Sequence, residues 1–104
     1  MQVVDHEPYG WFLIRDGARL LLDVHCSHSA VDYSFLIELN EAEGNEYRAQ
    51  GREFLSRLAH QIHYSAPGVR GSASPYLDRK VDGEDRARFD AAAIAWVEER
   101  RNAL

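Results

Sequence analysis

Between Tyr9 and Leu39 the chain reads as three runs of apolar residues in which alternate positions share a face. Period two is the mark of strands with one side on a core. The first break is Asp16-Gly17, between Trp11-Phe-Leu-Ile-Arg and Ala-Arg-Leu-Leu-Leu-Asp-Val. Asp-Gly tolerates the positive φ that a two-residue hairpin turn requires. A turn there opposes Leu13 to Leu20 and Trp11 to Leu22. A second turn at His28-Ser29 opposes Val24 to Tyr33, Leu22 to Phe35 and Leu20 to Ile37. The two turns agree on one apolar face, with rows Tyr9/Val24/Tyr33, Trp11/Leu22/Phe35 and Leu13/Leu20/Ile37. The predicted strands cover about 9–15, 18–27 and 30–39, in a meander.

The opposite face is mixed. Arg19 and Glu38 suit an exposed ion pair there, and Asp23, His25, Asp32 and Ser34 gather at the other end, with His25 opposite Asp32. Between them Phe12, Leu21 and Leu36, joined by Ile14, form an apolar band that a wetted face does not need.

Helical spacing takes over after Leu39. Asn40 and Glu43 have the form of a capping box, but Gly44 weakens a helix there, so the first helix is placed at about 45–64. Its stripe is Tyr47, Gly51, Phe54, Leu55, Leu58 and Ile62, with Gly51 read as a close approach to the sheet. Residues 65–83 are a loop, rich in Ser, Gly and Pro up to Pro75, and Asp82-Gly-Glu-Asp opens a second helix at about 84–101. Phe89, Ala92, Ala93, Trp96 and Val97 share one stripe of it. The expected fold is a single α+β domain over residues 1–104, βββαα. Both helices are expected on the Trp11/Leu22/Phe35 face, although the loop at 65–76 is long enough to carry the last helix to either face.

Composition adds little and excludes some classes. The chain has 104 residues, 45% of them hydrophobic and 28% charged, which is ordinary for a folded domain. A net charge of −5 opposes non-specific binding to nucleic acid or anionic membranes. The single cysteine fits a reducing compartment. No apolar run approaches the roughly 18 residues of a membrane span, and Met-Gln-Val-Val-Asp-His-Glu lacks the segments of a signal peptide, so a cytoplasmic location is expected.

The candidate chemistry is thin. His25-Cys-Ser-His28 and His60-Gln-Ile-His63 offer imidazoles, but strand, turn and helix do not aim them at one point, and no metal or cofactor is expected. His60 and His63 are placed on the solvent side of their helix. Asp23, His25, Asp32 and Ser34 hold the ingredients of base or nucleophile chemistry without an oxyanion hole or a concave site. Cys26 alternates inward and reads as a small apolar group. A backbone nest at Pro67-Gly-Val-Arg-Gly-Ser could bring Arg70 to a ligand, but lacks a P-loop lysine. The expected function is therefore a non-catalytic protein-binding or self-associating module that uses Phe12, Ile14, Leu21 and Leu36. The alternative is a small-ligand or metal-binding protein that uses Asp23, His25, Asp32, Ser34 and Arg70.

Overall fold

The structure is a computed structural model that describes residues 1–28 and 31–103. It is α+β, with a four-stranded antiparallel sheet and three α-helices. The strands are β1 (Gln2–Glu7), β2 (Trp11–Asp16), β3 (Arg19–His28) and β4 (Val31–Glu38), in the order β1-β2-β3-β4. The helices are α1 (Glu41–Gln50), α2 (Arg52–Ser65) and α3 (Gly83–Asn102), with a 3₁₀ turn at Leu77–Arg79.

The alternation of faces is as the sequence suggests, but both registers sit two positions away from expectation. Leu13 opposes Leu22, not Leu20, and Val24 opposes Phe35, not Tyr33. The β2–β3 turn explains the first shift. Gly17, at φ 61, takes the first central position and Ala18 the second, so Asp16 stays in the strand opposite Arg19. Positive φ at the first central residue alone is the type II′ solution, which a glycine there selects. His28 is the last residue of β3, opposite Val31, rather than a turn residue, and Ser29 lies outside the described residues. A shift of two keeps every side chain on its face.

An additional strand precedes the three expected ones. β1 pairs with β2, and the register slips between Val3 and Asp5, so that Val3 opposes Ile14 and Asp5 opposes Leu13. The bulge hides the alternation and blunts an edge strand. Polar β1 residues are held from both sides of the sheet: Arg52 of α2 binds Asp5 and Glu7, while His6 packs on Phe12 and Trp96.

The predicted single helix at 45–64 is two helices. Asn40 and Glu43 do form the capping box, with backbone-to-side-chain bonds of 2.8 and 2.9 Å, and α1 runs through Gly44. The break comes at Gly51, at φ 67 and ψ −143. A Cβ at Gly51 would touch nothing within 4 Å, so its role is conformational rather than the close approach expected.

The faces are covered separately. Leu55, Leu58, Ala59 and Ile62 of α2 close over Trp11, Leu13, Leu22, Val24, Cys26, Phe35 and Ile37. On the opposite face α3 sets Phe89, flanked by Ala92 and Ala93, on Ile14, Leu21 and Leu36. The expectation of both helices on one face is thus corrected. The chain after Arg79 runs along the free edge of β4, where Lys80 bridges Ile37 and the Val81 N–H donates to the Leu36 carbonyl at 2.8 Å. From that edge α3 enters the face that α1 and α2 leave open. The proposed interaction band is largely core: Ile14 and Leu21 are 0% exposed, Leu36 is 1% exposed, and Phe12 is half-buried against His6 and Trp96.

Candidate functional site

β3 and β4 extend past the start of β2, so the end of the sheet opens beside the β1–β2 turn. There the His25 N–H donates to the Gly10 carbonyl at 2.8 Å. The turn is Glu7-Pro-Tyr-Gly10, closed by a 2.9 Å bond from the Gly10 N–H to the Glu7 carbonyl. Pro8 precedes Tyr9, which has φ 62. Proline followed by a residue at positive φ is a type II turn, whose third position belongs by preference to glycine or asparagine. This chain has tyrosine there, outside the strand in which alternation had placed it. A bulky residue at positive φ is an outlier that the surrounding structure has to hold. The ring does not help to hold it, because Tyr9 is 94% exposed.

An open cleft of about 400 Å³ lies on either side of Tyr9, and Tyr9, Gly10, Trp11 and His25 contribute to both. The cleft on the α2 side adds Ser56, His60 and His63, and that on the α3 side adds Asp23, Ser34, Arg86 and Ile94. Arg86 lines the α3-side cleft, and Arg52 lies behind Glu7 and Trp11 of the α2-side cleft, each guanidinium shared by two carboxylates. Arg52 binds Asp5 at 2.5 Å and also Glu7, and its charge lies 5.2 Å from the centre of the Trp11 ring. Arg86 donates to both oxygens of Asp23, at 2.7 and 3.3 Å, and reaches Asp90 at 3.0 Å. Burial pushes the Asp23 carboxyl above its ordinary range, while the hydrogen bonds and charge of Arg86 act in the other direction.

No protein-family model, curated protein or solved structure matches the chain. Its chemistry is therefore read from these residues alone.

Three of the five residues assigned to a ligand site do meet: Asp23, His25 and Ser34 line the α3-side cleft. The other two do not join them. His25 opposes Ser34, and Asp32 opposes Ser27 one step further out. Arg70 sits in a loop fastened to the α2 side of β4, where the Gly68 N–H donates to the Tyr33 hydroxyl at 2.9 Å. Both Asp23 oxygens are occupied by Arg86, so this carboxylate is not placed as a free general base for His25 or Ser34. Among the described residues no three His, Cys, Asp or Glu side chains converge as metal ligands. Two histidines do meet, against expectation. His28 and His63 have ring centroids 4.7 Å apart, and His63 Nε2 lies 3.0 Å from the Ser27 carbonyl, so His63 is half-buried against the end of β3 rather than free in solvent.

Alternation placed Tyr9 on the buried face of the sheet, which its exposed position in the turn corrects, and Arg86 was assigned no role. Tyr9 had a local signal in Pro8-Tyr-Gly10, a proline placed to start a turn and a glycine to follow it. Arg86 had none, because its partner is 63 residues away and depends on the face that α3 covers.

Proposed function

We propose that the protein is a non-catalytic binding module that docks a partner protein through the sheet end around Tyr9. The observation that carries this reading is Tyr9 itself, a large aromatic side chain held outward at positive φ between two clefts. A strained residue that stabilises nothing in its own fold marks a site kept for another purpose. Tyrosine is well suited to that purpose, since it offers a large amphipathic surface with little rotamer entropy and is enriched among interface hot spots. The Ile94 side chain, 58% exposed on the rim of the α3-side cleft, extends the apolar area. The engaged state of Asp23 favours binding over catalysis at this end.

A photo-cross-linking residue at position 9, compared with one at Leu77, tests the proposal in cells that make the chain. Leu77 is also exposed, at 41%, but lies on the 3₁₀ turn. The expected result is a discrete adduct with one protein from position 9 and none from position 77. Equal patterns from the two positions, or no adduct from position 9, would overturn the reading.

A further inference from the structure

The two guanidinium groups beside Tyr9 are each divided between two carboxylates. Arg52 with Asp5 and Glu7 retains a net negative charge on one flank, and Arg86 with Asp23 and Asp90 retains one on the other. Each flank of the exposed tyrosine therefore has one more carboxylate than guanidinium groups.

Resting on the reading of Tyr9 as the docking point, we propose that the partner is a basic protein that sets lysine or arginine side chains against both flanks. Complementary charge steers encounter and rejects wrong partners. The same charge argues against a second copy of this chain as the occupant. A two-fold dimer through this end is isologous and brings each negative flank against its own kind.

The test is an amide chemical-shift titration of the ¹⁵N-labelled protein with two short peptides. One contains arginine, leucine and serine, and its counterpart replaces every arginine with glutamate. The expected result is perturbation around Glu7 to Trp11, Asp23 and Asp90 by the basic peptide alone, weakening as salt is raised. The double variant Glu7→Gln/Asp90→Asn is expected to weaken binding about fivefold or more. The double variant Glu41→Gln/Glu99→Gln makes the same change in net charge at exposed positions elsewhere and is expected to weaken it less than about twofold. Equal weakening by both double variants would reduce the effect to overall attraction and overturn the proposal. Binding of the acidic peptide at the same amides, or of neither peptide, would overturn the basic partner while leaving the docking end to the cross-linking result. Perturbation by the basic peptide elsewhere on the surface would overturn both.

Discussion

The two turns at the ends of β2 each place one residue at positive φ, but only one of them uses a glycine. Gly17 has φ 61 and Tyr9 has φ 62. At the Gly17 end the residue suits the backbone, and the charges around it close into a network: Arg19 reaches Asp16, Glu38 and Asp85, and Arg88 reaches Asp16 and Asp85. That network ties the first turn of α3 to the sheet. At the Tyr9 end the residue opposes the backbone and the ring faces water. One end is satisfied within the chain and the other is left incomplete. Where local rules fail without internal compensation, function is the physical explanation to test first.

The largest effect should come from the one charged contact at the Tyr9 end that also serves the fold. Arg86→Ala leaves Asp23 largely buried without its counter-charge. Breaking a buried pair costs about 3–5 kcal/mol, and Arg86 keeps 24% of its side-chain surface exposed, so about 2–3 kcal/mol is expected. Arg88→Ala at the opposite end removes contacts between more exposed groups, and only a small change is expected there. Urea denaturation of the two variants measures the difference. Equal losses would mean that Arg86, too, is merely a surface partner.

Exchanging the chemistry of the turns should move stability in opposite directions. Tyr9→Gly removes a left-handed conformation that costs an L side chain about 1–2 kcal/mol, and returns part of this because glycine loses more entropy on folding. A gain of about 0.5–1 kcal/mol is expected, together with loss of the proposed docking. Gly17→Ala should lose about 1 kcal/mol or more, because alanine meets the same backbone demand without relief. A Tyr9→Gly variant that is less stable than the wild type would show that the ring supports the fold, and the exposed tyrosine would lose its functional meaning.

The legible part of this fold was the part governed by burial alone. Alternation assigned the side chains of β2, β3 and β4 to their faces, since period two keeps Leu13, Leu22, Val24 and Phe35 on one side and Leu21 and Leu36 on the other. Pairing partners were less legible. Asp16-Gly17 fits one turn with both residues central and another with Gly17 first, and both keep the same faces. β1 was illegible because its polar residues find their partners far along the chain, His6 on Trp96 and Asp5 on Arg52. Gly51 inside an apolar stripe carried two readings, and only the backbone angle separates a close approach from a helix break. The side of α3 depended on the Val81 contact at the edge of β4, a long-range event with no local signal. The candidate site divides in the same way. Asp23, His25 and Ser34 share a face by alternation, whereas the proposed band of Phe12, Ile14, Leu21 and Leu36 changed meaning once α3 lay across it.

The smallest expected effect is a pair of opposed pH dependences at the two ends. Asp16 is held below the ordinary carboxylate range, chiefly by its hydrogen bond to Arg88. Its unfolded form binds a proton more readily than its folded form, so its contribution is present above the unfolded pKa and is lost as pH falls through the lower folded one. Asp23 is held above that range, chiefly by burial. Its folded form binds the proton more readily, so its contribution is fullest below the unfolded pKa and declines as pH rises through the higher folded one. The two carboxyls therefore tilt the stability profile in opposite senses, Asp16 on the acid side of the unfolded carboxyl pKa and Asp23 on the neutral side. Asp16→Asn should flatten the acid side of a denaturation series that extends well below the unfolded carboxyl pKa of about 3.9, and Asp23→Asn should flatten the decline above it. The same slope lost from both variants would mean that Arg86 outweighs burial at Asp23 and that the two ends differ in backbone, but not in how they hold their carboxylates.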